Sequence, residues 1–314
     1  MNTILLTGAS GQVGWDLARA LAPLGTVIAP PRERFDLAHP DALGAFVDEL
    51  RPQVIVNAAA YTAVDQAESE PVLAGRVNAY APEALAAAAR KHNALLVHYS
   101  TDYVFDGAKA GPYLESDAVA PLSVYGESKL AGEQAIRASG CEYLIFRTSW
   151  VYSARGRNFL RTILRLAAER EKLQIVDDQI GAPTWSRLIA ETTALVLQQN
   201  IAMRRLGAFE SALLHLTASG STSWHGFAAA IVSAARDRGL ALKCREVQPI
   251  PTAGYPLPAR RPANSRMSNR MLELRYGLSM PAWDSQLQLV MNEAVGEIKP
   301  LPVAAIMAAQ DTRH

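Results

Sequence analysis

A glycine-rich turn near the start of the chain restricts its fold more than any other feature. Gly8, Gly11 and Gly14 recur at every third residue, after the apolar run 3–7 and before a helical stretch that starts at Val13. A strand, a tight turn and a helix in this order present backbone amides to a pyrophosphate, and glycine lets the backbone approach it closely. The turn predicts a dinucleotide site, with a ligand-free strand-to-helix turn as the alternative.

The alternation of elements predicts the fold class. Apolar runs at 3–7, 26–29, 54–58, 95–100 and 143–148 read as strands, and the stretches 13–24, 41–50, 83–92 and 124–138 between them read as helices. This pattern indicates an α/β protein with a Rossmann-like, doubly wound parallel sheet. After Trp150, helices at 158–169, 187–199 and 223–238 are separated by links that contain proline and glycine, which indicates a smaller C-terminal substrate-binding lobe.

These patterns also predict a division of the chain. We expect a dinucleotide-binding Rossmann domain over residues 1–150, with later returns at about 158–180. The substrate-binding lobe is expected over about 151–300, followed by a loose tail at 300–314.

Composition excludes several classes of protein. The 314 residues are 49% hydrophobic and 19% charged, which is typical of a globular protein. Lys and Arg number 31 against 30 for Asp and Glu, so charge gives no reason to expect nucleic acid as a partner. Two cysteines, Cys141 and Cys244, make neither a disulfide framework nor a closely spaced zinc site. With no membrane-length apolar run and no charged leader, we expect a cytoplasmic protein with neither a membrane partner nor a metal.

Tyr125 and Lys129 are the strongest candidates for chemistry. Residues at i and i+4 share a helix face, so the ammonium of Lys129 can lie beside the phenol of Tyr125. A nearby positive charge favours the phenolate and lowers the pKa of a tyrosine. We therefore expect Tyr125 to be a proton donor that works near neutral pH.

The adenosine end of the site indicates the cofactor. NAD-preferring sites have an acidic residue at the end of the second strand, where this chain has Pro30-Pro31-Arg32-Glu33-Arg34. Arg32 and Arg34 can accept a 2′-phosphate, which favours NADPH, although solvated loop charges are an equal alternative. Asp36 and Leu37 follow, placed to contact the adenine end. Ala60, Tyr61 and Thr62 end the third strand, at the edge where open α/β sheets bind ligands.

Motifs along the chain carry a resemblance to a known family. They lie at 11–14, 54–60, 100–105, 146–152, 178–184 and 261–265. With them the chain resembles the extended short-chain dehydrogenase/reductases and, more narrowly, the dTDP-4-dehydrorhamnose reductase family, over about residues 3–295. The resemblance implies reduction of the C4 ketone of dTDP-4-dehydro-β-L-rhamnose to dTDP-L-rhamnose, a supply step for cell-surface polysaccharide such as O-antigen. It implies NADPH as cofactor, with NADH also accepted, and a small nucleotide sugar as partner.

The resemblance also implies roles for individual residues. Tyr125 would be the proton donor, Lys129 its activator and a ribose ligand, and Thr101 a hydroxyl beside the substrate carbonyl. Matching cofactor contacts are Gly11, Gln12, Val13, Asp36, Leu37, Ala60, Tyr61, Thr62 and Tyr99, in addition to Gly8, Gly14 and Arg32, which the turn and the adenosine end predict. Matching substrate contacts are Val64, Asp65, Thr101, Asp102, Tyr125 and Trp150. Structural alternatives stay open for Trp150 as a core tryptophan and for Asp65 as a helix-start carboxylate.

One departure from the family concerns metal and assembly. Some members dimerise through magnesium held by glutamates, and Arg187 stands at the position of one of them, while Glu293 matches another. A guanidinium cannot ligate a cation. We therefore predict a monomer or weak homodimer with no magnesium requirement. Arg261 and Arg266 are candidates for the substrate diphosphate, with solvated arginines as the alternative.

Two rival functions stay open. The first is a reductase or epimerase of another nucleotide sugar, which would share all the cofactor motifs. The second is a non-catalytic, dinucleotide-binding regulatory subunit of the same fold. Thr101, Tyr125 and Lys129 speak against the second, because a binding module has no need of all three.

Overall fold

The computed structural model describes residues 2–295. Its strands are β1 Asn2–Thr7, β2 Gly25–Ile28, β3 Val54–Asn57, β4 Leu95–Thr101, β5 Glu142–Thr148, β6 Val151–Tyr152, β7 Lys172–Val176, β8 Ile180–Gly181, β9 Thr184–Trp185, β10 Ala212–His215, β11 Thr222–Ser223 and β12 Glu246–Ile250. Its α-helices are α1 Gln12–Ala20, α2 Leu43–Leu50, α3 Val64–Ala67, α4 Pro71–Gly75, α5 Ala81–Lys91, α6 Val124–Ala138, α7 Phe159–Glu169, α8 Ser186–Arg205, α9 Trp224–Asp237, α10 Arg270–Tyr276 and α11 Trp283–Val295. The predicted tail at 300–314 lies outside the described residues.

A six-stranded parallel sheet forms the centre of the molecule. Its strand order is β2-β1-β3-β4-β5-β10, and every neighbouring pair is parallel. From β1 the chain adds β2 on one side and β3 on the other, so the winding direction reverses between β1 and β3. Ligands of open α/β sheets bind beyond the carboxyl ends of the strands at such a point. The predicted Rossmann-like fold class is confirmed.

Both faces of this sheet are buried, as a parallel sheet requires. Alternate strand residues point to opposite faces, so Ile4 and Leu6 pack with α1 and α8, whereas Leu5 packs with α2 and α5. These strand side chains have no exposed surface. The apolar residues of β1 thus fix this strand in the middle of the sheet. The turn that follows it therefore lies at the carboxyl ends of the parallel strands.

A second core lies in the C-terminal half. It combines residues of α7, α9 and α11, such as Leu160, Phe227 and Leu287, beside the parallel pair β7–β12. The chain returns to the main sheet later than the predicted 158–180, because α7 and β7 belong to this second core. The return is made by α8 and β10, since Ile189 and Val196 pack on the main sheet and β10 pairs with β5. A domain boundary near 150 stays a prediction.

No helix among residues 2–295 is both long enough and apolar enough to cross a bilayer.

Candidate active site

The turn after β1 is built for close packing. Gly8 has φ +69°, and a Cβ there would stand 2.7 Å from the amide nitrogen of Ala59. A Cβ on Gly14 would come within 2.0 Å of the carbonyl oxygen of Gly8. Gly11 is the N-cap of α1 and offers no side-chain cap, so amides of the first turn stay available to an anion. These features fit a pyrophosphate, and a side chain at Gly8 or Gly14 would collide with the backbone that forms the turn.

A cavity of about 1460 Å³ runs along the carboxyl ends of the central strands. Its wall brings together most of the predicted site: Gly8, Gly11, Gln12, Val13, Arg32, Asp36, Leu37, Ala60, Tyr61, Thr62, Val64, Tyr99, Thr101, Asp102, Tyr125, Lys129 and Trp150. Gly14 is instead used for packing of α1 against the turn. Asp65 lies outside the wall and is paired with an arginine.

The candidate catalytic groups lie in the middle of this wall. Tyr125 and Lys129 stand on the first two turns of α6, and Ser123 caps that helix by accepting from the Gly126 amide. The Tyr125 phenol lies near the side chain of Thr101 at the end of β4, and both residues line the cavity. Thr101 Oγ1 in turn donates to Asp102 Oδ1 over 3.0 Å. The sheet edge and α6 therefore bring a phenol, a hydroxyl and a carboxyl to one place.

The electrostatics of Tyr125 differ from the sequence-based expectation. Burial raises the pKa of Tyr125 to about 12, whereas the spacing to Lys129 predicted a lowered pKa. The reason is that Lys129 is committed elsewhere: its Nζ donates to the Tyr99 carbonyl oxygen over 2.6 Å and lies 3.2 Å from His98 Nε2. Burial also lowers the pKa of Lys129 to about 8. At neutral pH the phenol is protonated and can act only as an acid.

Several buried polar atoms on the cavity wall are available to hydrogen-bond a ligand. Ser100 Oγ, Asp102 Oδ2 and Thr148 Oγ1 are buried without a hydrogen-bond partner among the described residues, and all three residues line the cavity. Burial raises the pKa of Asp102 to about 6. An unpartnered buried polar atom is costly, so a ligand that supplies donors and acceptors would stabilise this wall.

Trp150 is held in an unusual conformation beside these groups. Its φ is +47°, in the left-handed region that bulky residues rarely adopt. Its indole stacks on that of Trp224 with ring centroids 3.6 Å apart, and a Cβ on Gly181 would stand 2.5 Å from the ring. The packing on the ring therefore fixes Trp150 as part of the cavity wall.

Most of the charged side chains predicted to bind ligands are paired with other groups of the protein. Arg261 forms a two-pronged pair with Asp65 at 2.7 and 3.0 Å, and the guanidinium lowers the pKa of that carboxyl. Arg266 donates to Asn264 Oδ1 and to the Ala110 carbonyl oxygen. A role of Asp65, Arg261 or Arg266 in substrate binding stays a prediction. Arg32, by contrast, has a side chain that is 74% exposed and pairs with Asp36 at 3.4 Å.

A loop before α7 belongs to the site and was missed by sequence reasoning. Asn158 Nδ2 donates to Gln12 Oε1 over 2.9 Å, and Gly156 and Arg157 line the cavity. Asn158 was predicted only as a helix start, and it does accept from the Arg161 amide as the cap of α7. The signal available in the sequence was a glycine between two arginines directly before a helix cap.

The fold and site together define a class of protein. A dinucleotide-type turn at the switch point of a parallel sheet, beside a Tyr-x-x-x-Lys helix and a threonine hydroxyl, defines an oxidoreductase of the short-chain dehydrogenase/reductase type.

Comparison with known proteins narrows this class. The family model described as the RmlD substrate binding domain matches residues 1–295. A dTDP-4-dehydrorhamnose reductase of Burkholderia thailandensis is 51% identical over 94% of this chain and 99% of its own length. The enzyme of that name from Escherichia coli is 47% identical over 92% of this chain and 97% of its own.

Solved structures agree with these relatives. The dTDP-4-dehydrorhamnose reductase of Bacillus anthracis, crystallised in complex with NADP, is 35% identical with a TM-score of 0.83 over 93% of this chain and 99% of its own. A Thermus thermophilus UDP-glucose 4-epimerase in complex with NAD, 20% identical with a TM-score of 0.74 over 94% of this chain and 100% of its own, shows the shared fold alone. This chain belongs to the RmlD family of dTDP-4-dehydrorhamnose reductases.

Proposed function

We propose that this protein reduces the C4 ketone of dTDP-4-dehydro-β-L-rhamnose to dTDP-L-rhamnose with NADPH, as part of dTDP-rhamnose biosynthesis. The observation that carries the proposal is the position of Tyr125 beside Thr101 in the cavity wall, next to a dinucleotide turn. The names of relatives that match almost the whole chain supply the substrate.

The chain's own residues fit a dinucleotide along the cavity. The α1 amides and the Gly8–Gly14 turn would hold the pyrophosphate, and Asp36 and Arg32 would hold the adenosine end. Ala60 presents only a methyl group near the sheet edge, which leaves room for a flat ring system. NADPH, when bound, supplies the hydride; NADH can serve in its place.

Tyr125 acts as the acid in this scheme. With a pKa raised to about 12, the phenol keeps its proton until negative charge develops on the carbonyl oxygen. An alkoxide is far more basic than a phenolate, so proton transfer from Tyr125 Oη is then favourable. Thr101 Oγ1 would donate to the same oxygen once its proton, which Asp102 Oδ1 accepts in the structure, turns toward the substrate. The buried ammonium of Lys129 uses two of its protons on the Tyr99 carbonyl oxygen and His98 and offers the third to the ribose hydroxyls.

The other half of the cavity wall would bind the sugar nucleotide. Trp150 offers an apolar edge, since packing locks its ring in place. Asp102 and Thr148 offer buried polar atoms to sugar hydroxyls. Water would be excluded from the reacting oxygen because Tyr125 and Thr101 are themselves 9% and 5% exposed.

The setting and assembly of the protein are further parts of the proposal. The two described cysteines, Cys141 and Cys244, are free and buried, in keeping with a reducing cytoplasm. We propose a monomer or weak homodimer that has no nucleic-acid partner, since its charges nearly balance.

A coupled assay tests the function. Purified protein is supplied with dTDP-4-dehydro-β-L-rhamnose, made in place by the upstream enzymes, while NADPH absorbance is followed and the product identified. We expect NADPH oxidation and dTDP-L-rhamnose. Interconversion of sugars without net NADPH oxidation would favour an epimerase, and NADPH binding without any turnover would favour a regulatory subunit.

A further inference from the structure

A buried chain of hydrogen bonds ends at the candidate catalytic lysine. The Ala59 amide donates to Thr7 Oγ1 over 3.1 Å, and Thr7 Oγ1 donates to Asn57 Oδ1 over 2.7 Å. The Asn57 side-chain amide lies 3.1 Å from His98 Nδ1, and His98 Nε2 lies 3.2 Å from Lys129 Nζ. The four side chains are each at most 3% exposed. They cross the sheet from β1 through β3 and β4 to α6.

The imidazole of His98 is neutral. Burial, and then the charge of Lys129, lower the pKa of His98 well below its ordinary value. A neutral imidazole has one accepting and one donating nitrogen, whereas an ammonium has donors only. Next to a charged Lys129, therefore, Nε2 must accept and Nδ1 must carry the proton.

Rotation of the Asn57 amide makes the Nδ1-protonated tautomer of His98 possible. Rotation of the amide by half a turn exchanges its oxygen and nitrogen, so that Oδ1 accepts from His98 Nδ1 and Nδ2 donates to Thr7 Oγ1. In the structure, Thr7 Oγ1 donates to Asn57 Oδ1 and Nδ2 faces His98, so that Nδ1 accepts, Nε2 carries the proton and Nε2 faces an uncharged amine of Lys129. The two arrangements correspond to the two protonation states of the lysine.

Of the two hydrogen-bond partners of Lys129, only His98 can change between donor and acceptor. The Tyr99 carbonyl oxygen takes a second proton of Nζ, and Lys129 lines the cavity. The titratable groups that face it are Tyr125 and Glu133 on its own helix and His98 on β4. Glu133 is held by Arg147 of β5 at 2.8 and 2.6 Å, so its charge is largely compensated.

We propose that His98 is a positioning residue for Lys129: its Nε2 accepts a hydrogen bond from the ammonium and keeps it charged and directed at the cavity, while rotation of the Asn57 amide stabilises the imidazole tautomer that this bond requires. The proposal deepens the proposed function and rests on it for the role of Lys129. It identifies a group that touches neither substrate nor cofactor and acts through the lysine.

Matched variants test this assignment. His98→Leu removes the acceptor, His98→Gln can replace it with an amide oxygen, and His92→Leu is the control at a histidine paired with Asp48 near the protein surface. Two quantities are followed against pH: kcat/KM for the reduction and the Kd of NADPH measured by its fluorescence. Thermal unfolding of each variant shows that the protein is folded.

Loss of the acceptor lowers the pKa of Lys129, so its charge is lost at lower pH. For His98→Leu we expect the alkaline limb of both profiles to shift to lower pH by about one unit. A shift of this size corresponds to the free energy of one hydrogen bond to a charged group. His98→Gln should restore most of the shift, and His92→Leu should leave the wild-type profile. The Kd profile needs no substrate, so it tests His98 even if the proposed reduction fails.

Other outcomes would overturn the proposal. A folded His98→Leu with the wild-type alkaline limb would do so, and so would an equal loss in His98→Gln and His98→Leu without a change of profile, which indicates packing alone. If His98→Leu does not fold, Asn57→Ser removes the amide that stabilises the accepting tautomer of His98. It should shift the limb in the same direction by a smaller amount, and an unshifted limb would count against the proposal.

Discussion

Arg32 is the residue whose charge can decide cofactor choice. Arg32 lines the cavity, while Arg34 lies outside the cavity wall with its guanidinium 5.8 Å from the ring centroid of Phe46. Because only NADPH carries a 2′-phosphate, Arg32→Ala is expected to raise KM for NADPH about tenfold and KM for NADH less than about twofold. Arg34→Ala is the matched control and should change neither. Equal effects of Arg32→Ala on both cofactors in steady-state kinetics would assign Arg32 to the solvated surface.

Residue identity at the site could be predicted from the sequence better than residue environment. The i, i+4 spacing places Tyr125 and Lys129 on one helix face, and both line the cavity. The partners of Lys129, the Tyr99 carbonyl and His98, come from β4, and no local pattern reveals that contact. The predicted lowering of the Tyr125 pKa was therefore wrong. Burial in the folded protein outweighs a charge that points elsewhere.

At the scale of elements, a buried ion pair joins α6 to β5 behind the site. Glu133 and Arg147 are 1% and 2% exposed. Glu133→Gln leaves a buried guanidinium without its counter-charge and is expected to destabilise the protein by about 3–5 kcal/mol in urea unfolding. The control is Glu169→Gln in the exposed Arg165–Glu169 pair of α7, expected to cost at most about 1 kcal/mol. Similar small losses in both variants would contradict this account of the pair.

The elements themselves could largely be predicted, because hydrophobic periodicity is local. The helix predicted at 124–138 is α6, Val124–Ala138, and the strand predicted at 54–58 is β3, Val54–Asn57. The assignment of α8 and β10 to the main sheet could not be predicted in the same way. An amphipathic helix such as α8 shows that it has a buried face but not which core buries it.

For the whole molecule, we predict assembly and activity without magnesium. Arg187 pairs with Glu191 at 2.7 Å and with Glu293 at 3.0 Å, so a fixed positive charge already neutralises these carboxylates. Across residues 2–295 no cluster of three or more His, Cys, Asp or Glu has a geometry suited to a metal ion. Size-exclusion chromatography with light scattering should give one mass, and assays one activity, in EDTA and in added magnesium. A mass that doubles with magnesium while activity rises would contradict the prediction.

The substitution Tyr125→Phe tests the central claim most directly, because it removes the proposed acid and leaves the cavity wall almost unchanged. The measurement compares kcat for NADPH-dependent reduction of dTDP-4-dehydro-β-L-rhamnose with the Kd of NADPH in the variant and the wild type. We expect kcat to fall by about 10²–10⁴-fold while the Kd stays within about twofold, since the hydroxyl acts chiefly in the transition state. A folded Tyr125→Phe protein that keeps a near wild-type kcat would contradict the account.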